Sequence, residues 1–253
     1  MKFFDASAWL GQWPFAFLDA PDARTLAVHL RQHGIDRALV SHLDAVFAPA
    51  PDRANATLRR ETRRTPSLMP VPIINPTLGN WRDELARCAT DSRVRMIRIL
   101  PNYHAFALGS KVADELAEEL LRRGLALAVQ MRLIDERHEW HGLNIKPTPT
   151  HALDGFLARH RKLPVLAGGL GRLDILALLP KHAHLVADLA FAEWHDTLSY
   201  FVNRVGATQL AFCSHAPFHI TAASKAKVAA QLASPAAQRA VAAGNLRRQI
   251  DKL

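Results

Sequence analysis

Residues 3–11 read FFDASAWLG and indicate a buried strand that runs into a glycine turn. The even-numbered residues of this strand are apolar, whereas the odd-numbered positions carry Asp5, Ser7 and Trp9. Because side chains alternate between the two faces of a strand, one face presents a carboxylate, a hydroxyl and an indole. Such a face is typical of a parallel barrel strand whose polar side chains project into a pocket.

Seven further strand-like segments follow, and segments with helical character separate them. They cover residues 38–42, 68–74, 94–100, 125–131, 164–167, 184–188 and 210–213. Eight strands that alternate with helices favour a parallel (β/α)8 TIM barrel over a doubly wound sheet. We therefore predict an α/β fold in which residues 1–253 form a single domain.

The fifth and eighth predicted strands support this barrel. In residues 125–131 the odd positions are large and apolar and would face the helices, while Ala126, Ala128 and Gln130 would face the barrel axis. In the eighth strand, Cys213 and then His215 would point inward. Small residues low on the inner face, with polar residues at the carboxyl end, are what a barrel with an active-site mouth requires.

The composition favours a globular protein of the cytoplasm. Hydrophobic residues make up 49% of the 253 residues, which is ample for a core. No apolar run approaches the roughly 20 residues of a membrane span, and no basic region followed by an apolar region opens the chain. The two cysteines, Cys88 and Cys213, do not suggest a disulfide framework. We expect no membrane partner, and the sequence is compatible with a monomer or a homo-oligomer.

The formal net charge of +9 raises the question of nucleic-acid binding. However, the arginines are scattered over many predicted helices, and the denser patch at residues 59–64 has no aromatic-rich basic strand beside it. That patch is better interpreted as a solvated helix face. We therefore predict no nucleic-acid partner and expect the positive charge to attract a small anionic substrate.

The ends of the predicted strands and the adjoining loops define the mouth of the barrel. His215 is the strongest candidate there, because it ends a strand of small residues and precedes a proline turn that would fix its direction. Arg98 could equally hold a substrate carboxylate or pair with an interior carboxylate such as Asp5. His42 could simply bond a loop carbonyl. The candidate site residues are Ser7, Trp9, Trp13, His42, Asn75, Arg98, Tyr103, His104, Gln130, Arg132, His215 and His219.

The usual catalytic motifs do not occur in the sequence. No His-x-His ends a strand, and neither His-Glu-x-x-His nor Cys-x-x-Cys occurs. No Gly-x-Ser-x-Gly elbow surrounds a serine, and residues 168–171 lack the spacing of a nucleotide-binding glycine loop.

Three segments together carry a family resemblance: the opening strand, residues 101–104 (Pro-Asn-Tyr-His) and residues 213–218 (Cys-Ser-His-Ala-Pro-Phe). The chain resembles the amidohydrolase-related (amidohydrolase 2) group of TIM-barrel proteins, which includes hydrolases, lactonases and decarboxylases. The resemblance implies a barrel fold and a small-molecule enzyme.

The metal ligands that this resemblance implies are replaced. The two histidines of the usual Asp-x-His-x-His opening fall at Ser7 and Trp9, and the fifth-strand histidine falls at Gln130 or Arg132. The sixth-strand histidine falls at residues 168–169, and the eighth-strand aspartate has become His215. Since most of these side chains do not bind zinc, we predict no cofactor. The alternative is a zinc site rearranged among His42, His104, His215 and His219.

Three hypotheses follow. The first is a metal-independent enzyme, a hydrolase of a lactone or amide or, second, a lyase that cleaves a carbon–carbon bond as in decarboxylation. In it His215 is the acid or base, Arg98 and Arg132 bind carboxylate, and Gln130, Ser7 and Tyr103 donate hydrogen bonds. The second is a zinc hydrolase, and the third is an inactive ligand-binding or assembly protein on the same barrel.

Overall fold

The computed structural model describes residues 1–19, 21–135, 140, 142–229 and 232–251. Its strands are β1 (Phe3–Leu10), β2 (Ile35–His42), β3 (Leu68–Pro70), β4 (Met96–Ile99), β5 (Ala126–Gln130), β6 (Val165–Gly168), β7 (Leu185–Asp188) and β8 (Leu210–Ala211). Its helices are α1 (Ala23–Gln32), α2 (Asp44–Phe47), α3 (Asp52–Thr62), α4 (Trp81–Ala89), α5 (Lys111–Arg123), α6 (Thr150–Arg159), α7 (Arg172–Leu178), α8 (Thr197–Val205), α9 (Thr221–Val228), α10 (Pro235–Arg239) and α11 (Asn245–Asp251), with a π-helical turn at Ala240–Gly244.

The strands close into a barrel. Strands β1 to β3 pair in parallel, and so do β4 to β8 in chain order. A parallel bridge between Ile73 and Arg98 joins the two sheets after β3. On the other side, the N–H of Ala6 donates to the carbonyl of Phe212 at 2.9 Å. The predicted (β/α)8 TIM barrel is therefore confirmed.

Several predicted strands are longer than those observed, β3 and β8 among them. Residues 68–74 were expected to form one strand, but β3 ends at Pro70. Pro70 and Pro72 have no N–H group to give to a ladder, so regular pairing stops there. Strand β8 covers only two of the four residues expected, because the chain turns toward β1 after Ala211.

The opening strand does not alternate regularly along its length. Phe4 and Ala6 fill the barrel interior, whereas Ala8 and Leu10 pack in the outer layer between strands and helices. The pairing of β1 with β2 shifts register between Asp5 and Ala8. A β-bulge of this kind moves the following side chains to the opposite face. It places Trp9 with the residues of the mouth instead of the outer layer.

The fifth strand follows the predicted alternation. Leu125, Leu127 and Val129 pack outward against the helices, while Ala126 and Ala128 lie in the barrel interior. Among the described residues, no helix has the length and apolar character needed to cross a membrane.

Candidate active site

Six polar or aromatic side chains on the barrel strands, or in the segments after them, are buried, and we call them the interior polar cluster. They are Asp5, Ser7, Trp9, Arg98, Asp188 and His215. Five of them lie on β1, β4 and β7, and His215 lies in the segment after β8. Arg98 is only 1% exposed, and its guanidinium carbon lies 4.4 Å from the centre of the Trp9 ring. The barrel therefore encloses an arginine under an indole, an arrangement stabilised by cation–π attraction.

The interior carboxylates are held by backbone groups. Asp5 Oδ1 accepts hydrogen bonds from the N–H groups of Ser7 at 3.1 Å and Ser214 at 2.9 Å, and Asp5 Oδ2 accepts from the Ser214 hydroxyl. Burial nevertheless raises the pKa of Asp5 to about 7, and it also raises the pKa of Asp188. Burial lowers the pKa of Arg98 to about 10, so this side chain remains a cation at neutral pH.

Several atoms of the interior polar cluster have no hydrogen-bond partner among the described residues. They are Ser7 Oγ, Trp9 Nε1, Arg98 Nε and Nη1, Asp188 Oδ2 and His215 Nδ1. A buried polar atom without a partner costs about 1–3 kcal/mol. Native proteins keep few such atoms, and a concentration of them at one end of a barrel is typical of a functional site.

His215 is held firmly in this cluster. Its Nε2 donates to the carbonyl of Leu133 at 2.6 Å, so its Nδ1 is the unprotonated acceptor. Its backbone has a positive φ of 51°, which is uncommon for a residue other than glycine. Burial holds the pKa of His215 well below its usual range, so the imidazole is neutral. The ring lies between Phe191 and Phe218, at 5.2 and 5.5 Å.

An open cavity of about 530 Å³ lies beside His215 on the outer side, and we call it the mouth cavity. His219 lines it, with its ring 4.8 Å from the His215 ring. Phe191 and Phe218 form aromatic walls, and Arg132 lies 5.5 Å from the Phe191 ring. The loops after β5, β7 and β8, together with α9, supply the lining.

Lys227 is a second cation in the mouth cavity. Its Nζ donates to the carbonyl of Ala190 at 2.7 Å and lies 3.5 Å from Glu193 Oε1. The lysine side chain is 14% exposed, whereas that of Glu193 is 70% exposed. A bound anion could therefore displace the exposed carboxylate and take its place beside the hydrogen-bonded ammonium group.

An aromatic rim covers the interior polar cluster next to the mouth cavity. Trp13 contacts the rings of Phe47, Tyr103 and Phe218 at 5.1, 6.4 and 5.4 Å. Phe15 stacks on Trp140 at 5.4 Å with an interplanar angle of 10°. The rim keeps bulk water from Arg98 and Trp9.

The structure divides the predicted site residues into four groups. Ser7, Trp9, Arg98, Gln130 and His215 converge inside the barrel, with the Gln130 amide donating to the Arg132 carbonyl at 2.7 Å. Arg132 and His219 line the mouth cavity, and Trp13 and Tyr103 belong to the rim. The remaining three lie apart from both sites: His42, Asn75 and His104.

His42 and Asn75 have local partners, whereas neither ring nitrogen of His104 has a hydrogen-bond partner among the described residues. His42 Nδ1 lies 3.6 Å from the Asp44 carboxylate, and the Asn75 side chain accepts from the N–H and hydroxyl of Thr77. Their roles in binding stay predictions. Sequence reasoning overlooked Phe191 and Lys227, since an aromatic residue after β7 and a lysine in an alanine-rich helix have no pattern that marks them.

Comparison with known proteins shows the fold. No family model matches the chain, and no curated protein matches its sequence. A 5-carboxyvanillate decarboxylase from Sphingomonas paucimobilis is 16% identical with a TM-score of 0.76, each chain being covered to 99%. A dihydroxybenzoic acid decarboxylase from Polaromonas sp. JS666, with bound manganese and 2-nitroresorcinol, is 15% identical with a TM-score of 0.68, covering 98% of this chain and 96% of its own. An uncharacterised TIM-barrel protein from Bordetella bronchiseptica is 12% identical with a TM-score of 0.72, covering 100% of this chain and 99% of its own.

These likenesses confirm the fold implied by the amidohydrolase-related resemblance. They also correct the cofactor prediction. The sequence predicts no cofactor, with zinc as the alternative, but the dihydroxybenzoic acid decarboxylase structure holds manganese. The prediction was wrong because it considered only side chains that were replaced in this chain, whereas the same barrel elsewhere accommodates a divalent metal.

The residues described in this chain do not fit that metal well. No three His, Cys, Asp or Glu side chains converge in the described ranges. Gly168, where the resemblance places a histidine ligand, has no side chain, and a Cβ atom there would be 2.8 Å from Gln130 Oε1 and 3.1 Å from Asp188 Oδ2. Arg98 already supplies a positive charge beside Asp188 and Asp5 and would repel a second cation. We therefore assign roles only to the chain's own residues.

Proposed function

We propose that this protein is an enzyme that removes a carboxylate from a small anionic aromatic acid by cleaving a carbon–carbon bond. One observation carries the proposal: the mouth cavity combines two aromatic walls, two cations and an imidazole beside the interior polar cluster. Solved structures of the same fold include decarboxylases of 5-carboxyvanillate and dihydroxybenzoic acid. The cavity has the chemistry that such a ring with a carboxylate requires.

The mouth cavity would bind the substrate by its ring and its charge. Phe191 and Phe218 offer faces against which an aromatic ring packs. Arg132 and Lys227 approach from different elements, the first after β5 and the second on α9. A planar guanidinium binds a carboxylate with two parallel hydrogen bonds and thereby orients it, while the ammonium adds a point charge.

The reaction would proceed by breaking the bond between the ring carbon and the carboxylate carbon. The electron pair of that bond stays on the ring, carbon dioxide leaves, and the ring carbon takes one proton. The negative charge that develops on the ring is stabilised by the fixed cations Arg132 and Lys227.

We assign His219 the proton transfer, because its ring lines the cavity while His215 is buried behind it. An imidazole is suited to this step, since its usual pKa is near neutrality. The His215 ring, fixed by its bond to Leu133, packs 4.8 Å from the His219 ring and would hold it in position. His215 thus acts as a positioning residue in this scheme.

We assign Arg98 a supporting role, in which it stabilises the site and does not contact the substrate. Its guanidinium is sealed beneath Trp9 and balances Asp5 and Asp188, so a substrate carboxylate would have to displace the aromatic rim to reach it. Ser7 and Gln130 belong to the same support. Of the two roles considered for Arg98 from the sequence, we propose the interior pairing.

The test is turnover of a panel of hydroxybenzoic acids, followed by carbon dioxide release and by identification of the ring product, with and without added manganese. We expect turnover by the unmodified protein and a loss of about 10- to 100-fold in kcat/KM for Arg132→Gln, the value of a lost charge-assisted contact. Arg247→Gln, an exposed change of the same charge on α11, is the control and should retain activity.

Other results would contradict the proposal. Turnover confined to lactones or amides would favour the hydrolase, the first reaction that the sequence suggests. Binding of the acids without turnover under either metal condition would favour a ligand-binding protein. Equal activity in Arg132→Gln and Arg247→Gln would remove the mouth cavity from the reaction.

A further inference from the structure

A second concave site lies at the opposite end of the barrel. A cavity of about 580 Å³ is lined by α1, by the first residues of β2 and by the loop that precedes β3. These are the amino-terminal ends of the strands, whereas active sites of this fold form at the carboxyl ends. Any ligand here would therefore be distinct from the substrate of the mouth cavity.

Arginine dominates this cavity, which we call the basal arginine groove. The described lining residues include four arginines, Arg24, Arg31, Arg37 and Arg64, and one acid, Asp36. Asp36 already lies 3.8 Å from the ammonium group of Lys2. Among the described residues, no carboxylate lies within ion-pair distance of the four guanidinium groups, although ion pairs are common elsewhere on the surface.

An adjoining hollow extends the positive surface. It shares Arg24 and Arg64 with the groove and adds Arg60 from α3. Its two acids are engaged by the backbone: Asp22 accepts from the N–H groups of Arg24 and Thr25, and Glu61 accepts from the N–H of Ala23. These carboxylates cap α1 and are held there, so they neutralise the arginines only in part.

The groove also has an apolar side. Ala27 and Val28 of α1 line it, and Val28 is 39% exposed. Arg37 also lines the groove, and its guanidinium lies 5.0 Å from the Phe4 ring and donates to Met69 Sδ at 3.0 Å. One arginine is therefore fixed in place, while Arg31 and Arg64 are exposed at the margin.

We propose that the basal arginine groove binds a small phosphate-bearing molecule with a short apolar part. Arginines from three separate chain segments line one concave space, and planar guanidinium forks match the oxygens of a phosphate group. The apolar wall on α1 accommodates the remainder of the ligand. A concave groove of this size favours a small molecule over the extended phosphate backbone of a nucleic acid.

The test uses butyl phosphate and inorganic phosphate as probes, measured by calorimetry and by the rise in melting temperature at constant ionic strength. The double variant Arg31→Gln/Arg64→Gln removes the two marginal arginines. Arg161→Gln/Arg247→Gln removes the same charge from exposed positions elsewhere and is the control. A ligand that binds only the folded state raises the melting temperature of the protein. Both probes should therefore raise the melting temperatures of the unmodified protein and of the control variant.

We expect butyl phosphate to bind more tightly than inorganic phosphate, and the Arg31/Arg64 variant to bind either probe at least about tenfold more weakly. Without ligand, that variant should melt at the same temperature as the control or slightly above it, because like charges are removed. Capture by phosphatidic acid vesicles, in addition to the soluble probes, would identify a lipid headgroup as the source of the phosphate.

Three results would overturn the proposal. The first is no binding of either probe. The second is equal weakening in the two double variants, which would indicate the general charge of the protein. The third is binding of a single-stranded oligonucleotide with neither soluble probe bound, which would indicate a nucleic acid. None of these results bears on turnover in the mouth cavity, so failure here leaves the proposed decarboxylation intact.

Discussion

The interior polar cluster and the mouth cavity contain similar chemical groups in opposite surroundings. Each has an arginine next to an aromatic ring and a histidine of the chain after β8, but Arg98 and His215 are sealed while Arg132 and His219 line open space. Burial converts a titratable side chain into a fixed element of the structure, because its charge state and position are set by the fold. The same group at a cavity wall remains able to meet a ligand. In the proposed function, the cluster therefore supports the site and the cavity binds the substrate.

The largest expected effect is a difference in the free energy of unfolding between variants of Arg98 and Arg132. Arg98→Met removes a fully buried cation, its contact with the Trp9 ring and its attraction for Asp5 and Asp188, and should cost about 2–3 kcal/mol. Arg132→Met, at the cavity wall, should cost less than about 1 kcal/mol. Urea unfolding of both variants measures the difference. If the two lose the same stability, the division between a supporting and a binding arginine is wrong.

The next effect concerns the two histidines. His219→Gln should lower kcat by about 100-fold, equivalent to roughly 2.7 kcal/mol of barrier, with little change in unfolding free energy. His215→Gln should lower stability as well, since it removes the bond to Leu133 from a buried position. Steady-state kinetics and urea unfolding of both variants provide the comparison. A His219→Gln enzyme with normal kcat would show that the proton comes from another group.

The pH dependence of stability tests the burial of Asp5. The pKa of Asp5 rises from its ordinary 3.8 to about 7 in the folded protein, so the folded state binds this proton more tightly than the unfolded state. Its contribution is therefore present in acid and is lost as pH rises between those two values, by at most about 1.4 kcal/mol per pH unit. Asp5→Asn should remove the part of this slope due to Asp5 and leave the part due to Asp188, whose pKa burial also raises. An unchanged slope in Asp5→Asn would mean that Asp5 is already ionised in the folded state.

The smallest effect concerns the aromatic rim. Phe15→Ala removes the stacked contact with Trp140 and should cost about 1 kcal/mol or less. Phe17→Ala is the matched control, because Phe17 is 86% exposed. Thermal unfolding of the two variants measures the difference. Equal melting temperatures of the two variants would indicate that the stacked contact in the aromatic rim does not stabilise the protein.

The barrel could be predicted from the sequence because its signals are local. Alternation in residues 125–131 and the rhythm of strands and helices depend on neighbouring residues alone. Irregularities were not predictable in the same way. The bulge between Asp5 and Ala8 depends on how β1 pairs with β2, so the faces of the opening strand were only partly anticipated.

The sequence by itself determined that polar side chains gather at the ends of the barrel strands and that His215 and Arg98 are among them. Only the tertiary structure decided which of them are sealed and which face open space, and it alone brought Phe191 and Lys227 beside His219. The physical reason is that burial and access depend on contacts between residues far apart in the chain. No local sequence pattern predicts whether an aromatic rim will cover a given strand end.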